Sequence, residues 1–549
     1  MQAAIIANAN NINEQAFSFN DYIQFMGGLS NAISNNNGLL NFDEFGKDQA
    51  PKGLTDNFST GINFNYDFSP KFNLKSHYFV LNSNNKLEQE TLSQEFTDEE
   101  SFQTDKSINQ KVENQNHRVQ LKLNFKPSPF VQWKWINNLN IIDNQKQRLG
   151  STNFFTNNQF VGFTSANTDQ ENDQEGIDGK LILRKKYQKI GRNWINTLEY
   201  QIGSFEEIQN IENSFDLDQS LEVINQFQKF NFENRKAVIQ SVFTESLNKS
   251  TYLSATYSFE VEREAPRKEF FDIEMFGNLL NEELSGLYTK TNNIHKTRLS
   301  LKKNSKKLKF NASLANQWST INGEGSTIEI PIVREDFYFL PSFSLEKPLS
   351  SISKIKINYS TKVNLPTLNQ LAPLPNNSNP NILFKGNPDL KPAYQHRVQL
   401  RYELLDLFNF TNLFITTFLE KTNNWITNQI QIDDQFLQTY RPVNIDDHLR
   451  VYGNVSFNAP IKPLKLKFRM NANYSYSTYE SFLNTIKSPV QEQFIRGNLV
   501  IENREKETWD ISVGIQVDYN SRDFLLQQNF IQQFITCLLY TSPSPRDRG

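Results

Sequence analysis

Residues 353–364 read SKIKINYSTKVN, and residues 393–406 read AYQHRVQLRYELLD. In the first segment Ile355, Ile357 and Tyr359 share one parity, and lysine, asparagine and serine occupy the other. In the second segment aromatic and aliphatic residues alternate with arginine, glutamine and glutamate. Because successive side chains of a strand point to opposite faces, each segment predicts a strand with one apolar and one charged face. Asp406 and Leu407 then predict a tight turn into a return strand that begins with Phe408, Phe410, Phe414 and Phe418.

The same alternation recurs along the chain, in about 18 segments between Thr60 and Tyr519. Segments near Gln2–Ala7 and Gln528–Ile535 would bring the number of strands to about 20. Each segment is roughly 10–13 residues long, whereas a tilted strand needs about 9–11 residues to cross a bilayer. Short turns alternate with long connections, and polar stretches at Asn84–Asn114 and before Asp178 are expected to be long loops. This arrangement predicts an all-β, up-and-down antiparallel transmembrane barrel with short periplasmic turns and long extracellular loops.

Composition excludes several other classes of protein. The formal net charge of −3 gives no basic field for nucleic acid. Mean hydropathy is −0.60, and no apolar run reaches the length of a membrane-spanning helix. Aromatic residues nevertheless make up 13% of the chain, including 45 phenylalanines. A polar average with many aromatic residues is typical of alternating strands joined by polar loops.

The charged parity of these strands should face the barrel lumen. Between Leu464 and Tyr476 one parity carries no charge, and the other carries lysine, arginine and asparagine. A lysine or arginine that faced lipid at midplane would cost about 2–4 kcal/mol. Trp133, Trp194 and Trp509 each start a strand after a short turn, which predicts a periplasmic aromatic girdle rather than core positions.

The long loop between the two quoted segments carries a sequence motif. It contains LPTLNQLAP and then Gly386, Asn387, Pro388, Asp389, Leu390, Lys391 and Pro392, followed by an aromatic strand. This pattern resembles the late barrel region of TonB-dependent outer-membrane receptors of the Bacteroidetes-type outer-membrane β-barrel family. A second match is NNINEQAFSFNDYIQFMGG at residues 10–28. The family usually has glutamate after the last proline, where this chain has Ala393.

The resemblance implies a barrel of about 22 strands in the outer membrane of a Gram-negative bacterium, filled by a plug domain. It implies energised uptake of a small nutrient, with TonB, a plug in cis and outer-membrane lipid as partners. Two alternatives stay open: a passive porin-like or structural barrel, and a soluble all-β binding protein. The residues alone assign no ligand-binding position. For Gly386–Pro392 we favour a structural role, because glycine and two prolines fix a turn that leads into a strand.

No pattern in the sequence indicates an enzyme, a cofactor or a metal site. The five histidines are scattered without the spacing of metal ligands, and no nucleotide-binding or nucleophile motif occurs. The acidic stretch Asp169–Asp178 could bind Ca2+, but it lacks the order of an EF-hand loop, and a solvated loop is favoured.

The two ends of the sequence are expected to be incomplete. Residues 1–9 lack the positive region of a signal peptide and are interpreted as a strand. The segment CLLYTSPSPRD at residues 537–547 resembles a translated sequencing adaptor, with a native tail as the alternative. We therefore divide the chain into an early strand and polar loop (1–59), a barrel incomplete at both ends (60–536) and an adaptor-derived tail (537–549). Without the tail, no cysteine remains for disulfide or thiol chemistry.

Overall fold

The fold was obtained as a computed structural model. It describes residues 2–11, 53–96, 101–157, 159–217, 220–274, 277–282, 284–326, 331–371, 382–432, 438–484, 486–503, 509–524 and 530–543. The second sequence match, over residues 10–28, falls almost wholly outside these ranges. Among the described residues, no helix is long and apolar enough to cross a membrane.

Strands dominate the described residues, with one short helix, α1 (Leu368–Leu371), and a 3-10 turn at Lys462–Leu464. The strands are β1 (Gln2–Asn10), β2 (Leu54–Ser69), β3 (Phe72–Phe96), β4 (Ser101–Ser128), β5 (Val131–Thr156), β6 (Gln159–Lys186), β7 (Asn193–Leu217), β8 (Ser220–Ser246), β9 (Thr251–Glu274), β10 (Gly277–Leu280), β11 (Gly286–Asn304), β12 (Lys309–Gly325), β13 (Ile332–Pro348), β14 (Ser353–Asn364), β15 (Ile382–Phe384), β16 (Ala393–Asp406), β17 (Thr411–Asn423), β18 (Trp425–Ile432), β19 (Gln438–Ile445), β20 (His448–Ile461), β21 (Leu466–Leu483), β22 (Ile486–Asn503), β23 (Trp509–Phe524) and β24 (Phe530–Pro543).

The strands form an up-and-down antiparallel barrel wall. Of the 24 described strands, β10, β15, β18 and β19 belong to the connections, and the other 20 pair in chain order. The β18–β19 hairpin is the longest of these insertions among the described strands, because β17 pairs directly with β20. The predicted fold class is confirmed, and the two terminal segments of the sequence form β1 and β24.

Burial is inverted relative to a soluble protein, as β11 and β12 illustrate. Leu299 and Leu314 are cross-strand partners on the outer face, and they are 53% and 55% exposed. Ser313 and Gln317, on the opposite face of β12, are only 5% and 6% exposed. The apolar parity therefore points outward and the polar parity points into the lumen, which argues against the soluble alternative.

The apolar band on the outer face ends at a definite height on β2–β5. The register aligns Ile62, Tyr78, Val119 and Leu139 in one outer row, followed toward the long connections by Thr60, Val80, His117 and Ile141. The next outer row is Phe58, Asn82, Gln115 and Asp143, and the one after it is Asp56, Asn84, Glu113 and Gln145. Outer side chains thus change from apolar to polar just beyond His117, which marks the extracellular edge of the band.

Tyrosine–histidine pairs lie at this edge in three hairpins. Tyr78 Oη and His117 Nδ1 are 2.8 Å apart. The equivalent atoms are 3.0 Å apart in the Tyr257–His295 and Tyr359–His396 pairs. Aromatic side chains with a polar tip favour the membrane–water boundary. These histidines therefore belong to the outer surface of the wall rather than to a metal site.

Two details of the sequence prediction are wrong. The polar stretch Asn84–Asn114 is not a loop, because β3 continues to Phe96 and pairs residue by residue with β4. The stretch before Asp178 is likewise part of the β5–β6 ladder. Beyond the apolar band both strand faces meet water, so polar residues occupy both parities and the period-2 pattern disappears while the backbone pairing continues.

The expected aromatic return strand also differs from the structure, because Phe408 and Phe410 lie in the turn and β17 begins at Thr411. Leu419, on the outer face opposite Val398, is 47% exposed. Phe414 and Phe418 have the other parity, and the guanidinium carbon of Arg397 lies 3.9 Å from the Phe418 ring centroid. These phenylalanines therefore face the lumen, where a cation–π contact accommodates an aromatic ring in a charged wall.

Candidate functional site

The loop between β14 and β16 folds inward across the extracellular side of the lumen. Leu368 of α1 packs with Tyr288 of β11 and Phe232 of β8, both on the lumen face of the wall. The ammonium group of Lys290, which is also on that face, donates to the carbonyl of Pro366 at 3.1 Å. The loop therefore reaches from its own strands to a distant part of the wall and covers part of the lumen.

The Gly386–Pro392 motif fastens this loop. Leu390 is 1% exposed and joins a hydrophobic cluster with Ile321, Ile332 and Leu371. Arg334 of β13 donates through Nη1 to the carbonyl of Leu390 and through Nε to Asp336 at 2.9 Å. These contacts join the loop to the wall.

The inserted hairpin is bound to the same motif. The side-chain amide of Asn387 donates to the carbonyl of Pro442 in β19 at 2.9 Å. Asn444 accepts from the backbone amide of Lys391 at 2.7 Å and donates to the Lys391 carbonyl at 2.9 Å. Strand β15 pairs in parallel with β19, so the loop and the hairpin form one inward-folded unit.

A cavity of about 770 Å³ lies between this unit and the wall of β7–β9. The wall contributes Phe205, Glu207, Phe230, Phe232, Glu264, Pro266 and Lys268, and the loop and hairpin contribute Thr367, Leu368, Asn369, Gln370, Phe384, Lys385, Asn428, Tyr440 and Pro442. Ligand sites are typically apolar cavities of about 300–1,000 Å³ with a few placed polar groups. We take this cavity as the candidate ligand site.

The wall of the cavity is ordered in rows by strand register. Glu207, Phe230 and Lys268 are successive cross-strand partners on β7, β8 and β9. Phe205 and Phe232 are partners in the row below, and the rings of Phe205 and Phe230 lie 5.9 Å apart in an edge-to-face arrangement. The row thus places a carboxylate and an ammonium on opposite sides of an aromatic floor.

The sequence did not predict these cavity residues. Phe205, Glu207 and Phe230 lie beyond the apolar band, where alternation no longer separates the two faces, so periodicity could not identify them. The sequence gives only a partial signal that these residues face the lumen. Phe205 and Glu207 share the parity of Glu199, which faces the lumen opposite Lys180. Their meeting with the loop depends on long-range folding that spacing does not encode.

On the part of the lumen wall nearer the short turns, charged side chains are arranged in two ways. On β8 and β9, the ammonium of Lys236 lies 2.5 Å from a carboxylate oxygen of Glu260. On β3 and β4, Lys75 is directly opposite Lys122, which is 7% exposed. Within the described ranges neither of these two lysines forms an ion pair, and like charges placed opposite each other are destabilising.

No metal centre is found among the described residues, where no group of three or more histidine, cysteine, aspartate or glutamate side chains could hold an ion. The acidic stretch Asp169–Asp178 lies in β6, where Asp169, Glu171 and Asp173 share the outer face. A strand spreads such carboxylates along one line instead of wrapping them around an ion.

The chain is similar to several solved outer-membrane receptors. The siderophore receptor PirA from Acinetobacter baumannii is 10% identical, with a TM-score of 0.45 over 90% of this chain and 74% of that chain. A ferric enterobactin receptor variant from Pseudomonas aeruginosa is 10% identical, with a TM-score of 0.46 over 90% and 80%. The alcaligin receptor FauA from Bordetella pertussis is 8% identical, with a TM-score of 0.42 over 88% and 73%.

No curated protein matches this sequence. A family model, described as the outer membrane protein beta-barrel family, matches residues 185–539. This match covers more than half of the chain and includes the quoted strands, the motif and the wall of the cavity from β7 onward. The chain therefore belongs to the outer membrane protein beta-barrel family.

Proposed function

We propose that the chain is the barrel of a TonB-dependent receptor that takes up a small nutrient across the outer membrane. The observation that carries the proposal is the inward-folded loop and hairpin, which form a ligand-sized cavity at the extracellular mouth of a wide, polar lumen. A passive pore needs an open mouth, whereas a receptor needs a surface that captures its ligand before transport. The Gly386–Pro392 resemblance adds TonB as the partner in energy coupling.

We also propose a plug domain in cis, and the polarity of the lumen wall favours this proposal. Gln120, Asn138 and Asn140 make the lumen face of β4 and β5 polar, so this face can form hydrogen bonds with a polar domain inside the barrel. The Lys75–Lys122 pair further favours a filling domain with acidic side chains against β3 and β4. The outer apolar face would contact the lipid of the outer membrane.

Uptake measurements test the receptor proposal. Cells that express the complete gene should accumulate the nutrient, and an uncoupler of the proton-motive force should abolish the accumulation. The coding sequence upstream of Met1 should specify a plug domain. A barrel that conducts ions freely in a planar bilayer, with uptake insensitive to the uncoupler, would favour the passive porin.

Orientation is tested by labelling on intact cells. A cysteine in place of Lys86, which is exposed near the long connection of β3, should react with a membrane-impermeant thiol reagent. A cysteine in place of Lys249, in the short turn before β9, should stay protected until the outer membrane is opened. The reverse pattern would invert the orientation.

The division of the chain also remains a proposal. Strand β24 includes Cys537–Pro543. We propose that residues 537–549 derive from a sequencing adaptor and that the native gene encodes other residues at these positions. Resequencing the locus from unamplified DNA should give further alternating strand, whereas the same codons in genomic DNA would contradict the adaptor interpretation.

A further inference from the structure

We propose that the cavity between the inward-folded loop and β7–β9 binds a short peptide with free termini and apolar side chains. This inference rests on the proposed uptake function and names its ligand. It depends on three features of the cavity: its aromatic surfaces, the position of its unlike charges and the spacing of the strands that carry those charges.

Aromatic surfaces line both sides of the cavity. Phe205, Phe230 and Phe232 form the wall side. On the loop side, the rings of Phe384 and Tyr440 lie 5.3 Å apart. Such surfaces bury apolar or aromatic side chains, each of which contributes about 1.5–3 kcal/mol when fully transferred from water. The body of the ligand is therefore apolar.

The charges of the cavity fit a zwitterion. Glu264 is neutralised within the wall, because its carboxylate lies 3.2 Å from the ammonium of Lys290. Glu207 accepts a hydrogen bond from the neutral side-chain amide of Gln170 at 2.9 Å, and the Lys268 ammonium lies 4.6 Å from the centroid of the Phe270 ring. Neither contact cancels a charge, and the two residues flank Phe230 from opposite sides. Lys385 adds a second ammonium on the loop side. A cationic group of the ligand would meet Glu207, and an anionic group would meet Lys268 and Lys385.

The spacing of the strands that carry these charges sets the length of the ligand. Glu207 and Lys268 lie on strands β7 and β9, which are separated by β8, so their backbones are about 10 Å apart at about 4.8 Å per strand spacing. An extended chain covers about 3.3–3.6 Å per residue. A tripeptide therefore spans from Glu207 to Lys268, with its ammonium at one end, its carboxylate at the other and its side chains over Phe230.

Peptide binding can be measured by calorimetry on the purified full-length protein in detergent. The probe is the tripeptide Leu-Phe-Leu with free termini, compared with the same peptide acetylated at the N-terminus and amidated at the C-terminus. Each cap removes one charge-assisted contact, so the doubly capped peptide should bind about tenfold or more weakly. Equal affinity for the two peptides would overturn the inference.

Charge variants assign each end of the peptide. Glu207→Gln should weaken the free peptide about tenfold but leave the N-acetylated peptide unchanged, because that peptide has no ammonium to lose. Lys268→Gln should likewise weaken the free peptide about tenfold but leave the C-amidated peptide unchanged, because that peptide has no carboxylate to lose. The matched control is Glu206→Gln, which changes the adjacent residue on the outer face, where Glu206 pairs with Lys229 at 2.6 Å. A shift in gel mobility on boiling checks that each variant is folded.

The outcomes separate this inference from the proposed function. Peptide binding with uptake that ignores an uncoupler would contradict the receptor but support the peptide site. Coupled uptake of another nutrient without peptide binding would overturn the peptide site alone. Binding of maltotriose in preference to the tripeptide, unaffected by Glu207→Gln, would replace the peptide with a neutral sugar.

Discussion

The substitution Leu390→Ala should release the inward-folded loop without unfolding the barrel. Leu390 is 1% exposed and packs with Ile321, Ile332 and Leu371. Truncation of a buried leucine to alanine typically costs about 2–5 kcal/mol. The cost falls on the loop, because the 20 wall strands keep their own backbone pairing. Because about 1.36 kcal/mol corresponds to a tenfold change, the open population of the loop should rise about 30-fold or more.

Hydrogen exchange of the loop amides is the assay. The amide of Asn387 donates to the carbonyl of Gln370 at 2.8 Å, and the amide of Leu371 donates to that of Thr367 at 3.1 Å. Both amides should exchange about 30-fold or more faster in Leu390→Ala, because local opening of the loop controls their protection. Amides at the centre of β12 should not change.

The matched control is Leu407→Ala, which truncates a leucine that is 70% exposed in a short turn. It should leave exchange in the loop unchanged. If Leu390→Ala exchanges at the rate of the control, the motif does not fasten the loop and our account of it is refuted. If the whole barrel is lost instead, the cluster supports the wall and not the loop alone.

Two further predictions concern a connection of the barrel and its outer face. The ammonium of Lys421, 2.8 Å from Asp447, lowers the pKa of that carboxyl, which lies between β19 and β20. The local stability that this ion pair contributes is complete at pH values above the unfolded pKa of aspartate, which is about 3.9. It is lost as the pH falls through the lowered pKa of Asp447 in the folded protein. Hydrogen exchange should show this acid step locally, and Lys421→Gln should remove it; an unchanged step would contradict the assignment. On the outer face, Leu299→Lys should destabilise the barrel in lipid by about 2–4 kcal/mol, as measured by urea titration. Ser300→Lys, on the lumen face, should lower the stability less. Equal losses of stability would contradict the assignment of Leu299 to the lipid face and Ser300 to the lumen face.

The wall could be predicted from the sequence because one physical rule governs it. In β14 and β16, apolar residues such as Ile357 and Leu400 meet as outer-face partners, while Lys356 and Arg401 meet on the lumen face. Alternation at bilayer length, together with the order of short and long connections, therefore predicted the fold class and the direction of the faces.

The extracellular part could not be predicted in the same way. Glu88 and Asn109 are cross-strand partners beyond the apolar band, where water on both faces removes any selection for alternation. The cavity combines Phe230 of β8 with Phe384 of the loop, which are far apart in sequence. The motif signalled that the loop is constrained, but only its packing at Leu390 reveals what the loop contacts.

The most direct test of the barrel account is the lipid exposure of successive positions on β11. Spin labels would be placed one at a time on cysteines at residues 299–302 of the protein in bilayers, with Cys537 replaced by serine. We expect high accessibility to oxygen, which partitions into lipid, at Leu299 and Leu301, and low accessibility at Ser300 and Lys302. A membrane-spanning strand would be contradicted if all four positions were equally accessible to a water-soluble nickel chelate and their accessibility to oxygen did not alternate.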